Sequence, residues 1–209
     1  AAYSLLSDGA IMPPFGVHRG ETGAPVDSYV INADKTEHRF ASPGKVGGHP
    51  LTVGDTVILQ SAAGGGYGDP LRRDPVEVQH DVENDLVSRE IAETIYGVRF
   101  DNNGAIDIAG TASHRDALTA ERPRLRATRD DKDPYVASGP SRRRTIRLHP
   151  ADLAAHNLAT DQRIELLDEV GAPLRGWAVA DDTIMQGTTP LDEIGLRLLG
   201  VEAGANVYI

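Results

Sequence analysis

Two stretches of this 209-residue chain combine residue types at a spacing that could do chemistry. The first is Gly64-Gly65-Gly66-Tyr67-Gly68-Asp69-Pro70. Neither a helix nor a strand tolerates that density of glycine, so the segment is a loop whose backbone takes unusual angles or approaches something closely. Backbone N–H groups bared by glycine can gather an anion or a developing oxyanion. The same glycines serve close packing equally well, with Asp69 and Pro70 closing a turn. Neither Lys-Ser nor Lys-Thr follows, so this is not a Walker-type phosphate loop. The second stretch runs from Pro13 to Pro25, where His18, Arg19 and Glu21 stand among three glycines after Pro14 and Phe15. Arg19 could hold a carboxylate in its planar fork, and His18 could move a proton near neutral pH; a plain surface turn is the alternative. The candidate catalytic residues are therefore His18 and Arg19. Gly64, Gly65, Gly66, Tyr67, Gly68 and Asp69 form the candidate substrate or anion-binding loop.

The other histidines do not assemble a metal site by spacing. His149 and His156 are seven apart, but Pro150 follows His149 at a helix start, and His38 and His49 fall in separate turn-rich segments. His-Glu-x-x-His, Gly-x-Ser-x-Gly and the dinucleotide fingerprint are all missing, so no metal is expected on this chain.

The elements that must position these loops are short. Ser28-Tyr29-Val30-Ile31 and Thr56-Val57-Ile58-Leu59 read as strands between turns. After the glycine loop the period becomes helical. Asp74-Pro75 supplies an N-cap and a first-turn proline for a helix carrying Val76, Val78 and Val82, and Ser88 caps a second short helix with Ile91 and Ile95 one turn apart and Gly97 at its end. Val98 to Phe100 and Ala105 to Ile108 flank the turn Asp101-Asn102-Asn103-Gly104, and a polar helix is expected from Ser113 to Pro123. Further on, Thr145 to Leu148, Ile164 to Leu167 and Leu174 to Val179 read as strands and Pro150 to Asn157 as a helix. One pattern recurs three times, an apolar residue followed by Gly or Asp at offset three and apolar residues at offsets six and eight. Its copies are Leu51/Gly54/Val57/Leu59, Leu158/Asp161/Ile164/Leu166 and Val201/Gly204/Val207/Ile209. It describes a tight turn feeding a half-buried strand and specifies no chemistry.

Composition sets the outer bounds. With no cysteine there is no disulfide framework or thiolate metal site. No run approaches the ~18 apolar residues of a spanning helix, so no membrane association is expected. The start Ala1-Ala2-Tyr3-Ser4 lacks a basic region followed by an apolar one, which makes the cytoplasm the expected compartment. The formal charge of −10 argues against nucleic acid as a partner. Its distribution is uneven, because Arg122 to Arg147 holds eight Arg and one Lys against three Asp, or +6, leaving −16 for the remainder. With Pro123, Pro134, Gly139 and Pro140 inside it, that segment reads as an extended connection. The expected class is α+β, a β-rich amino-terminal part with a short helical hairpin followed by a small β-barrel-like carboxy-terminal domain. The expected divisions are 1–121, a basic linker at 122–144, and 145–209.

The run from Gly64 to Val78, then Asp81-Val82, Asp85-Leu86-Val87-Ser88 and Ile95-Tyr96-Gly97-Val98, resembles the carboxy-terminal part of the hydantoinase B/oxoprolinase family. Pro13-Pro14-Phe15-Gly16, Gly20, Gly23-Ala24-Pro25, Ser42 with Lys45, and Gly54-Asp55 agree with it, and the likeness covers roughly residues 4 to 126. The chain departs from the family pattern at Asp8-Gly9, where Asp-Arg is usual, and at Arg19-Gly20, where a Gly-Gly pair is usual. The resemblance implies a hetero-oligomeric enzyme that opens cyclic amides, usually coupled to ATP; related complexes carboxylate ketones. It implies as partners a hydantoinase A-like subunit that binds ATP and an amino-terminal hydantoinase B-like chain. ATP with magnesium, and a divalent metal, would then belong to partner chains, with no cofactor bound by this chain alone. A noncatalytic assembly subunit is the competing expectation.

Overall fold

Burial at every second position marks the central strand of the first unit. Asp27-Ser28-Tyr29-Val30-Ile31 buries Ser28 and Val30, and in the computed structural model of the chain it is the centre of a three-stranded antiparallel sheet. The structure describes residues 1–138, 141–168 and 171–209. They divide into two units, residues 1–16 with 20–67, and residues 17–19 with 68–209.

In the first unit, β1 (Ala2–Leu6) pairs antiparallel with β4 (Lys45–Pro50), while β2 (Asp27–Ile31) lies between β3 (Glu37–Arg39) and β5 (Thr56–Gln60). The buried Ser28 hydroxyl donates to the Pro43 carbonyl at 2.8 Å, so the one polar side chain on the inner face of β2 is satisfied.

The second unit begins with a 3-10 turn (Pro70–Arg72) and the expected helical hairpin, α1 (Pro75–Glu83) and α2 (Arg89–Thr94). Asp74 and Ser88 cap these helices as their positions predict, accepting from the Val76 and Ile91 N–H groups. Val78 and Ala92 are fully buried, with Val98, in a small core. Val76, Ile91 and Ile95 instead face outward. The third helix, α3 (Ile108–Glu121), starts five residues before the expected Ser113, because the Asp107 carboxylate caps it through the Gly110 N–H at 2.9 Å. The turn at Asp101–Gly104 forms, but the segments flanking it are joined only by a bridge between Phe100 and Ile106.

The basic stretch 122–144, expected as a linker, contains β6 (Arg124–Arg129), β7 (Tyr135–Ser138) and the start of β8 (Ser141–Leu148). Gly139 and Pro140 lie outside the described residues. The reason is alternation: Arg124 and Arg126 point out while Leu125 and Ala127 are buried, and in β8 Arg144, Ile146 and Leu148 point in. Six consecutive residues of which three are arginine look like a solvated run, but a strand needs only its inward-facing residues, here Leu125 and Ala127, to be apolar.

The rest of the unit repeats one arrangement twice. From β8 the chain passes through α4 (Pro150–Ala155) into β9 (Arg163–Leu166), and these two strands grip β10 (Leu174–Ala180), parallel on one side and antiparallel on the other. From β11 (Thr188–Leu191) it passes through α5 (Glu193–Leu199) into β12 (Asn206–Tyr208), and these grip β6 in the same senses. The two sheets, β7-β8-β10-β9 and β11-β6-β12, share one core that includes Leu125, Ile146, Leu148, Leu166, Leu199 and Val207. This is the expected strand-rich α+β architecture.

The threefold sequence pattern is a turn. Residues 52–55, 159–162 and 202–205 each close with a hydrogen bond from the fourth N–H to the first carbonyl, and Gly54, Asp161 and Gly204 take φ of 96°, 64° and 96°. In the second and third copies Ile164, Leu166 and Val207 are buried as expected. In the first, Leu59 is 53% exposed.

Candidate functional site

Of the residues singled out by chemistry, the second unit brings together Arg19 and Asp69. Asp69 begins the 3-10 turn at Pro70, where its Oδ1 accepts from the Leu71 N–H at 3.0 Å. Arg122, immediately after α3, reaches back across 53 residues of sequence and donates Nη1 and Nη2 to the two Asp69 oxygens, each at 2.6 Å. Arg19 places Nη1 3.9 Å from the same carboxylate and its guanidinium 3.9 Å from the centre of the Tyr208 ring. The Asp69 side chain is 7% exposed and that of Arg19 9%.

The local backbone explains how Arg19 gets there. The Gly68 N–H donates to the Val17 carbonyl at 3.0 Å, and the next two residues, His18 and Arg19, both take positive φ, 52° and 67°. Non-glycine residues avoid that region, and two in succession are held only where surrounding contacts fix them. The exposed His18 is not among the residues lining the cavity described next.

These groups border a cavity of about 440 Å3 in the second unit, with charged walls formed by Arg19, Arg72, Arg115, Arg122, Asp69 and Asp116. Arg115, from the middle of α3, is anchored by hydrogen bonds from Nε to the Tyr96 carbonyl at 3.0 Å and from Nη2 to the Arg73 carbonyl at 2.8 Å. Burial pushes the Asp69 carboxyl up, but the Arg122 hydrogen bonds, the Leu71 N–H and the charges of Arg122 and Arg19 outweigh it and hold the group below the usual carboxylate range. Burial also lowers the Arg115 guanidinium, against the opposing charges of Asp69 and Asp74. The carboxylate is thus a fixed negative charge set among guanidiniums.

The glycine loop of the first unit is occupied with packing. A Cβ at Gly65 would stand 1.8 Å from the Phe15 carbonyl oxygen, and one at Gly20 would stand 2.1 Å from the Gly66 carbonyl oxygen. A Cβ at Gly23 would be 2.5 Å from the Ala63 carbonyl oxygen. The segments around residues 15–24 and 63–66 therefore lie backbone against backbone, joined by hydrogen bonds from Gly66 N–H to the Glu21 carbonyl and from Ala63 N–H to the Ala24 carbonyl. Gly64 meets no described atom within 4 Å, and Tyr67 is 83% exposed. Arg115, Arg122 and Tyr208 were not singled out from sequence, and no local signal marks them, since each meets the site through contacts far apart along the chain. Among the described residues, no three His, Asp or Glu side chains converge as a metal ion would require. No helix among them is long and apolar enough to cross a membrane.

Comparison with known proteins adds what this geometry does not specify. Residues 1–70 match the sequence profile described as Hydantoinase B/oxoprolinase. The chain is 52% identical over 64 residues to the caprolactamase beta subunit of Pseudomonas jessenii, covering 31% of this chain and 11% of that protein. It is 32% identical over 110 residues to a putative D-/L-hydantoinase subunit of Pseudomonas sp. (strain NS671), covering 53% of this chain and 18% of that one. It is 40% identical over 55 residues to the acetophenone carboxylase delta subunit of Aromatoleum aromaticum, covering 26% of this chain and 8% of that protein. The chain thus spans less than a fifth of these curated relatives, each of which is named as a subunit.

Proposed function

We propose that this chain, whose residues 1–70 match the Hydantoinase B/oxoprolinase profile, is part of a multi-subunit enzyme that opens cyclic amides, with ATP hydrolysed in a partner subunit. The observation that carries this reading is the 52% identity to a caprolactamase subunit over 64 residues. The partners are a hydantoinase A-like subunit and an amino-terminal hydantoinase B-like chain, and the assembly works in the cytoplasm. The second reading, an ATP-dependent ketone carboxylase, is favoured by the 40% identity to an acetophenone carboxylase subunit over 55 residues. A noncatalytic assembly role is the third.

Opening an amide develops negative charge on its oxygen, and fixed donors aimed at that charge lower the barrier without reorganising. Within this chain His18, Arg19 and the loop Gly64 to Asp69 are the proposed contributors. Arg19 is the strongest of them, since Asp69 and Tyr208 hold its guanidinium at the edge of a cavity. Arg122 keeps Asp69 ionised, and Asp69 in turn orients Arg19, so both act as positioning residues.

Reconstitution tests the reading. The chain is combined with the two partner chains and assayed for lactam and hydantoin opening with and without ATP, then for ketone carboxylation with bicarbonate. The proposal expects amide opening that needs ATP and all three chains. Full amide-opening activity in an assembly that omits this chain assigns it to assembly, and turnover of ketone but not amide selects the carboxylase.

A further inference from the structure

We propose that a cavity of the first unit, between residues 7–12 and 42–45, binds a short amino acid whose ammonium and carboxylate are separated by a hydrocarbon chain. The inference stands on the first unit alone and does not depend on the cyclic-amide reading, although a ring-opened lactam is a molecule of this kind. Ser7, Asp8, Ile11, Met12, Ser42 and Lys45 line a space of about 270 Å3. Lys45 and Asp8 bring opposite formal charges to it, and among the described residues neither side chain has a hydrogen-bond or ion-pair partner, the other included. The Ser42 hydroxyl has none either. The cavity of the second unit differs in this respect, because its Arg19, Arg115 and Arg122 are engaged with Asp69 or with backbone carbonyls. An ammonium with three donors and a carboxylate that only accepts border one small space without meeting. A ligand that carries both charges, one at each end, matches the two at once.

The two walls are fixed to the rest of the unit before any ligand arrives. The Ser7 N–H donates to the Gly44 carbonyl at 2.7 Å, the Val26 N–H to the Gly9 carbonyl at 3.3 Å, and the Ser28 hydroxyl to the Pro43 carbonyl at 2.8 Å. A Cβ at Gly44 would stand 2.6 Å from the Ser7 carbonyl oxygen, so the walls meet backbone to backbone. Lys45 closes its own turn through a hydrogen bond from its N–H to the Ser42 carbonyl at 3.0 Å and begins β4. Binding therefore orders little more than the Lys45 and Asp8 side chains. Ile11 and Met12, 66% and 42% exposed, line the same space and give the hydrocarbon between the two charged ends an apolar surface to rest on. The volume lies at the small end for a ligand pocket, which limits the chain between those ends to a few carbons.

The whole chain, isotope-labelled, is titrated with γ-aminobutyrate at constant ionic strength while the Gly9 and Gly44 amides are followed by NMR. Saturable shifts of both are the expected result. Butyrate and n-butylamine, which carry one charge each, should bind about threefold more weakly or worse, the factor expected when a partly exposed charge pair is removed. Lys45→Met should weaken γ-aminobutyrate by at least the same factor. Asp8→Asn should do so while leaving butyrate binding undiminished, so that the preference for the doubly charged ligand disappears. A general packing defect would weaken both ligands together. Neither side chain makes a hydrogen bond or ion pair among the described residues, so both variants should keep the thermal midpoint of the unaltered chain. Failure of γ-aminobutyrate to shift the two glycine amides saturably, or butyrate binding the unaltered chain as tightly as γ-aminobutyrate, overturns the proposal, as does an undiminished preference in a folded Asp8→Asn chain.

Discussion

Replacing Asp69 by Asn keeps the size and shape of the side chain and removes its charge. The Asn oxygen still accepts the Leu71 N–H and one Arg122 N–H, so what is lost is the second hydrogen bond and the ionic part of the pair. Removing one partner of a fully buried pair costs about 3–5 kcal/mol. Arg122 retains 22% exposure, which lets water share its charge, and the surviving hydrogen bonds lower the cost further, to roughly 2 kcal/mol. For a unit of this size that is a drop of roughly 6 °C in thermal midpoint. The assay is urea unfolding followed through Trp177, the only tryptophan, which lies in β10 of the same unit. The sign of the pH dependence is fixed by the direction of the shift. The Asp69 carboxyl titrates below its ordinary value in the folded chain, so its contribution is present in full above about pH 3.9 and is lost as pH falls through the lower folded value. The gap between wild type and Asp69→Asn should therefore narrow on going from pH 7 to pH 3. A gap below about 0.5 kcal/mol at pH 7, or one that does not narrow in acid, would refute the idea that Arg122 and Asp69 form a desolvated ion pair.

Four further substitutions, two of them controls, probe the packing around the loops and the barrel-like core. Gly65→Ala, whose Cβ would fall 1.8 Å from the Phe15 carbonyl oxygen, should destabilise the first unit by more than about 2 kcal/mol in hydrogen exchange of β2, whereas Gly64→Ala should change it by less than about 0.5 kcal/mol; equal effects would show that the loop is not packed backbone to backbone. Asp192 caps α5 through the Gly195 N–H at 3.0 Å and pairs with Arg144, which is 7% exposed. Asp192→Asn should lower stability by about 3 kcal/mol in Trp177-monitored unfolding, while Arg142→Ser, at a pair more than 60% exposed on both sides, should change it by less than about 0.5 kcal/mol.

Several features that depend on neighbours a few residues away were legible in the sequence, although the Asp107 cap that starts α3 was not recognised. Asp74-Pro75 and Ser88 start two helices because a cap acts within one turn, and Gly54, Asp161 and Gly204 set the three turns because φ is a property of a single residue. The strands β2, β5, β9 and β10 were legible from alternation, and β6 carried the same signal under a row of arginines that masked it. The likeness of the glycine loop to a known family was also legible without a structure.

Tertiary structure alone decided which arginine meets which carboxylate. The chain has 21 basic and 31 acidic residues, and at surface separations their attractions are too weak and too similar to select partners. Selection comes from burial. Once α3 packs so that Arg122 lies beside the cap of the 3-10 turn, the strained turn at His18 and Arg19 brings a second guanidinium to the same carboxylate. Desolvation then makes the geometry of that one cluster matter more than the rest of the charge pattern.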